Sequence, residues 1–192
     1  SHTKWAQNLH VNWLTERLEN FTNLFGKLNR SENFNIAQPL LLDSSKGSAA
    51  NWFSEWLDTN LGISSIEVSQ KAQFMNHNCG AGDMSPTQTW TFEQAKQDSH
   101  LLLTQLEPAK AGTIVAAALD GDGDRCLIIQ ATEEGFKVID GDAIADTVVN
   151  AGTKNSGNWT LAASIESDLS LLSGLDRFPQ TVSSIETAVG DR

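Results

Sequence analysis

Val115-Ala-Ala-Ala-Leu-Asp120-Gly-Asp122-Gly-Asp124-Arg125-Cys126 is the stretch on which the fold turns. Thr113 to Leu119 is strongly apolar, the pattern of a buried strand, and it runs directly into aspartates separated by glycines. The glycines permit tight, unusual backbone angles, so three carboxylates can converge on one point. Crowding like charges is costly unless a cation sits among them. Oxygen-only ligands favour a hard cation: magnesium, calcium or manganese. Arg125 follows at once, and a planar cationic fork suits a phosphate. A single Asp-Gly is an ordinary acidic turn. Three aspartates in this spacing after a buried strand point instead to metal binding by Asp120, Asp122 and Asp124.

Two other motifs compete for the loop. A calcium-binding EF-hand needs Gly at its sixth position and Glu at its twelfth. Those positions hold Arg125 and Ala131, and the flanks read as strands, so that reading fails. The haloacid-dehalogenase phosphatases also place Asp-x-Asp after an apolar strand. In that alternative Asp120 is the nucleophile and Asp122 the acid/base. Asp124 stands where that pattern normally has Thr or Val, and no later lysine motif is evident.

Working toward the N-terminus, Trp5, Leu9, Trp13, Leu14, Leu18, Phe21, Phe25 and Leu28 recur at helical spacing and predict a helix from Trp5 to Leu28. Pro39 to Asp43 reads as a short buried strand, with Gly47 breaking the chain after it. Ala49 to Leu61 reads as a helix ended by Gly62, and Ile63 to Ser69 as a strand. Residues 70–90 form a polar loop. Thr91 and Gln94 make a capping box for a helix running to about Leu106. Beyond the acidic loop, Cys126 to Gln130 and Phe136 to Ile139 suggest a hairpin, and Ala143 to Ala151 a helix. Thr153 to Asn158 reads as a linker, and a new strand opens at Trp159. The order of strands and helices describes an α/β layered domain, a mixed sheet with helices, followed by a second, incomplete domain.

Composition sets outer bounds. The chain has 192 residues, 40% of them hydrophobic, enough to bury a core. A formal net charge of −11 argues against nucleic acid as a partner. A local metal or arginine still admits an anionic substrate. No apolar run approaches a membrane span, and no signal-peptide pattern is present. Cys79 and Cys126 form neither a disulfide framework nor a zinc pattern, so both read as free thiols in a reducing, cytoplasmic setting. His10, His77 and His100 read as surface or core histidines.

The acidic stretch resembles the metal-binding segment of the α-D-phosphohexomutases. Val138-Ile-Asp-Gly-Asp-Ala-Ile144 resembles the family stretch that follows that segment, and Leu40-Leu-Leu-Asp-Ser-Ser-Lys-Gly47 matches the strand and glycine turn that open the family's second domain. Val189-Gly-Asp-Arg192 resembles a third-domain segment of bacterial phosphoglucosamine mutases. Asn76-His-Asn-Cys-Gly-Ala81 is similar to a stretch of acetylglucosamine phosphate mutases, and reads equally well as an ordinary Gly/Asn turn. Both favour an amino-sugar phosphate.

The resemblance implies residues 1–154 as the second of four mutase domains and 155–192 as the beginning of the third. It implies Mg2+ held by Asp120, Asp122 and Asp124, with Arg125 on phosphate. The parent enzyme would be a phosphoprotein. It would move a phosphoryl group between O1 and O6 of a hexose phosphate, through a phosphoserine and a bisphosphate. The family's serine loop, its third-domain sugar loop and its fourth-domain phosphate loop do not occur here. The chain is therefore expected to be an inactive fragment that depends on the remaining mutase domains. A stand-alone metal-binding or regulatory module is the alternative from another class.

Overall fold

The computed structural model describes residues 2–25, 35–154, 158–164, 167 and 182–187. The chain divides into two compact units: Ser1–Arg17 with Asn29–Asp140, and Leu18–Leu28 with Gly141–Arg192.

The first unit is built on a six-stranded mixed sheet. In chain order its strands are β1 (Ile36–Asp43), β2 (Ser65–Glu67), β3 (Thr89–Thr91), β4 (Ile114–Leu119), β5 (Cys126–Ala131) and β6 (Gly135–Ile139). Across the sheet the order is β2-β1-β4-β5-β6-β3. β1 pairs in parallel with both β2 and β4, whereas β4–β5, β5–β6 and β3–β6 are antiparallel. From β1 the chain first crosses to β2 on one side and returns later as β4 on the other. In an open α/β sheet that reversal leaves a crevice at the carboxyl ends of the two strands, the usual place for a ligand. The core gathers on the apolar central strands: Val115, Ala116, Ala118, Leu127, Ile129 and Phe136 pack with Trp90, Leu102, Leu103 and Leu106.

Several boundaries differ from those expected. β1 begins at Ile36 rather than Pro39, and its register to β4 shifts between Ile36 and Leu41. Pro39 has no N–H for the ladder, so an irregularity there lets the strand continue across it. The helix expected from Ala49 starts only at Phe53, as α2 (Phe53–Leu61), because residues 49–52 form turns; Gly62 caps it at φ 65°. The strand expected over Ile63–Ser69 shortens to β2 and gives way to a helical turn at Ser69–Lys71. The polar loop of residues 70–90 contains a second such turn, Ala81–Asp83, and ends in β3.

The Thr91/Gln94 capping box is present. The single helix expected after it is two: α3 (Phe92–Gln97) and α4 (Leu101–Gln105). The break has a local cause. Asp98 accepts the His100 amide at 2.8 Å, and His100 Nδ1 accepts the Leu102 amide at 3.3 Å, so two side chains take over from the helical ladder. The hairpin forms as β5 and β6, in register from Ile128↔Ile139 to Ala131↔Phe136.

The predicted N-terminal helix is α1 (His2–Phe25); its expected end at Leu28 lies outside the described residues. Residues to Arg17 belong to the first unit, where Trp56 Nε1 donates to Thr15 Oγ1 at 3.0 Å and His10 meets Trp52 edge-on. Trp5, Leu9 and Trp13 remain exposed.

In the second unit, α5 (Gly141–Lys154) precedes β7 (Trp159–Ser164), which pairs in parallel with β8 (Val182–Thr187). Trp159 packs near Phe25 and against Gly152, whose missing side chain leaves room for the indole. Ile165, Leu169, Leu171, Leu172 and Val189–Arg192 lie outside the described residues.

Candidate metal site

β4 delivers its last residue, Leu119, opposite Cys126 of β5, so residues 120–125 close the hairpin between them. Asp120 is buried at 4% exposure, while Asp122 and Asp124 are exposed. One carboxylate oxygen from each of the three aspartates lies within 4.8 Å of the others. An octahedral magnesium ion with ligands at about 2.1 Å holds their oxygens ~3–4 Å apart. The three oxygens lie near that spacing, and the oxygen-only donor set matches the chemistry of a hard cation.

Asp120 is the best-held member. Its Oδ1 accepts the amides of Gly123 at 3.2 Å and Arg125 at 3.1 Å, and its Oδ2 accepts Arg125 Nε at 2.7 Å. Burial pushes this carboxyl up, but the hydrogen bonds from Arg125 outweigh burial and hold it below the usual carboxylate range. Asp120 in turn raises the Arg125 guanidinium. Arg125 Nε also lies 4.0 Å from Asp124 Oδ1, and the arginine side chain stays 68% exposed. Gly123 adopts φ 83°, the left-handed angle that lets the loop double back on Asp120.

Two further turns press on the loop, and the expected site residues did not include them. The first follows β1. Gly47 comes so close that a Cβ there would lie 2.1 Å from the Gly121 carbonyl oxygen, and Ser48 donates to Gly121 O and Asp122 O. The second is Asn76–Gly80. A Cβ on Gly121 would meet Asn76 Nδ2 at 2.8 Å, and one on Gly80 would meet Ser45 Oγ at 2.1 Å. Beneath both turns, buried Asp43 accepts the amides of Ser45 at 2.9 Å and Gly80 at 2.8 Å. His100 Nε2 reaches the Gly80 carbonyl at 3.0 Å; since Nδ1 accepts the Leu102 amide, Nε2 is the donor. His100 is thus a core histidine that ties a loop. His77, at the adjoining turn, stacks edge-on against Phe74. Cys79 is buried and Cys126 exposed, both free thiols. Lys46 donates to the Ala72 carbonyl.

No protein-family model matches the chain. Among curated proteins it is similar to phosphoglucosamine mutases. That of Leifsonia xyli subsp. xyli is 31% identical over 156 residues, and that of Lactobacillus delbrueckii subsp. bulgaricus 26% identical over 157. Each alignment covers 80% of this chain and 30% of the relative. Solved structures of N-acetylglucosamine-phosphate mutase share the fold. The substrate complex superimposes with a TM-score of 0.57 at 19% identity, covering 93% of this chain and 33% of that one. The apo form gives 0.56 at 17% identity over 95% and 37%. The chain thus spans about a third or less of the proteins it matches.

Fold and sequence define one class, a mixed α/β layer of the kind found in sugar-phosphate mutases. In sequence the chain is similar to phosphoglucosamine mutases, and in fold to solved members of the α-D-phosphohexomutase superfamily. Among the described residues, no helix is long and apolar enough to cross a membrane.

Proposed function

We propose that this chain is the metal-loop portion of a phosphohexomutase. The whole enzyme would exchange a phosphoryl group between O1 and O6 of a hexose phosphate through a phosphoserine and a bisphosphate. An amino-sugar phosphate is the favoured substrate, in keeping with relatives named phosphoglucosamine mutase. The observation that carries the reading is the convergence of Asp120, Asp122 and Asp124 within 4.8 Å at the end of β4, with Arg125 on the same loop.

In this reading the three aspartates hold Mg2+, which when bound draws negative charge off the transferring phosphoryl group. The protein's own contribution is positioning and charge. Asp120 is fixed by two amides and Arg125, so one ligand is already in place. The guanidinium, anchored through Nε, presents its exposed remainder to phosphoryl oxygens. Residues 1–154 serve as the second mutase domain and 155–192 begin the third. The serine nucleophile and the remaining sugar and phosphate loops belong to other parts of the parent, a cytoplasmic enzyme.

The test has two arms. Calorimetric titration of this chain with Mn2+ or Mg2+ should find one weak site. Coupled assays on glucose, mannose, glucosamine and N-acetylglucosamine phosphates should remain at background. Turnover by this chain alone would overturn the fragment reading. A phosphatase activity abolished by Asp120→Asn would point to dehalogenase-type chemistry instead.

A further inference from the structure

The turn after β1 lies against the acidic loop through backbone, not through long side chains. Ser48 N donates to Gly121 O at 2.9 Å, and Ser48 Oγ donates to Asp122 O at 2.9 Å. Two consecutive carbonyls of the loop thus end on one residue. Ser48 is itself held, because its carbonyl accepts Trp52 Nε1 at 2.9 Å. The preceding Gly47 donates to Ser44 O at 2.8 Å and has no side chain to keep the two segments apart. Ser48 Oγ is also the nearest atom, at 3.7 Å, to where a Gly123 side chain would stand.

We infer that Ser48 is a positioning residue for the metal loop, setting the peptide planes on either side of Asp122. The inference rests on the metal reading proposed above and adds a residue to it. The physical reason is geometric. Asp120 is fixed by its own hydrogen bonds, but Asp122 is exposed, and its direction follows from the peptides around it. The Asp122 side chain hangs between these two peptides, so freedom in the Asp122 backbone torsions would loosen where its carboxylate stands. The Ser48 hydroxyl restrains those torsions by holding the Asp122 carbonyl, and the Ser48 amide does the same one peptide earlier.

The test compares the wild-type chain with Ser48→Ala and Ser48→Thr. Mn2+ affinity is read by calorimetry, and folding by thermal melts. Ser48→Ala should bind Mn2+ ~3- to 10-fold more weakly, the scale of one lost neutral hydrogen bond. Its melting temperature should stay within ~3 °C of wild type. Ser48→Thr retains the hydroxyl and should restore affinity to within ~2-fold. Gly47→Ala drives a Cβ into the Gly121 carbonyl and should weaken Mn2+ further. If that variant does not fold, the Ser48 pair decides the matter. Wild-type affinity in Ser48→Ala, or no recovery in Ser48→Thr, overturns the inference while leaving the metal site standing. Absence of Mn2+ binding by the wild-type chain overturns both.

Discussion

Arg125 Nε donates to Asp120 Oδ2 at 2.7 Å, from the same six-residue connection that carries both residues between β4 and β5. One guanidinium therefore faces three carboxylates, and the loop keeps a net negative charge that a divalent cation would offset. The pair also fixes the direction of the arginine, since Nε is committed inward while most of the side chain is exposed.

Asp122→Asn is the mildest change to the cluster, because it keeps the shape and removes a charge at an exposed position. Calorimetry with Mn2+ should show the affinity falling by ~10-fold or more, with little effect on melting. Identical isotherms for wild type and variant would remove Asp122 from the site.

Two left-handed glycines should respond very differently to alanine. Gly62, at φ 65°, has open space where a Cβ would be, so Gly62→Ala should cost only the backbone strain of about 1–2 kcal/mol. Gly80, at φ 78°, would place its Cβ 2.1 Å from Ser45 Oγ and 2.7 Å from Leu119 O. Gly80→Ala should cost ~3 kcal/mol or more, or prevent folding. Urea melts measure both, and equal costs would refute the close packing of this turn on β4.

These glycines mark the limit of what was legible in the sequence. The acidic loop, the apolar β4 and the hairpin behind it were readable because their signals are local: an apolar run, an Asp-Gly alternation, and a turn between two runs. The Thr91 capping box was readable for the same reason. The support beneath the loop was not. Asp43 ends β1, Ser48 lies in the turn after it, and Gly80 and His100 come from two later connections, so their meeting depends on contacts far apart in the sequence; the parallel pairing of β1 with β4 brings the Ser48 turn to the acidic loop. The break at Asp98–His100 was hidden because the apolar spacing continues across it, while the two capping side chains act against it. The Asn76–Ala81 stretch reads equally well as a family segment or an ordinary Gly/Asn turn, and nothing local to it announces the approach of Asn76 to Gly121.

Asp43 should leave a signature in the pH dependence of stability. Burial pushes its carboxyl up; the amides of Gly80 and Ser45 lower it without cancelling the rise. A raised folded value means that the native state binds the proton more readily than the unfolded chain. The contribution of Asp43 to stability is then greatest below the unfolded value of about 3.9 and falls as pH rises through the folded value. Asp43→Asn cannot titrate and turns an amide group toward backbone donors, so it should also cost ~1–3 kcal/mol at neutral pH. The difference between wild-type and variant urea stabilities should change from pH 4 upward and then level off. A difference independent of pH would rule out the raised carboxyl.

Hydrogen exchange should rank the strands. β4 is buried and bonded on both sides, so its amides should exchange slowly. Among the described residues β7 pairs with β8 alone, and a two-stranded arrangement supports little stability of its own. Amides of Trp159–Ser164 should exchange at least ~100-fold faster than those of Ile114–Leu119, corresponding to ~2.7 kcal/mol of opening free energy. Comparable protection would mean that the second unit is a stable body by itself.

Arg125→Lys, made in the full-length parent, separates two roles for the guanidinium. If neutralising Asp120 is its whole task, a lysine ammonium does nearly the same, because the backbone amide of residue 125 still reaches Asp120 Oδ1. If the exposed part of the fork grips phosphoryl oxygens while Nε stays on Asp120, lysine cannot do both. Its three donors radiate from one atom, whereas arginine spreads five over a plane. The 2.7 Å inward contact together with 68% exposure of the side chain favours the double role. Turnover should fall by ~10-fold or more, ~1.4 kcal/mol of transition-state stabilisation, while magnesium affinity changes by less than ~3-fold. Steady-state kinetics at saturating magnesium, paired with a magnesium titration, reads the two separately. Wild-type turnover in the lysine variant, or a defect confined to magnesium binding, would assign Arg125 to the structural role alone.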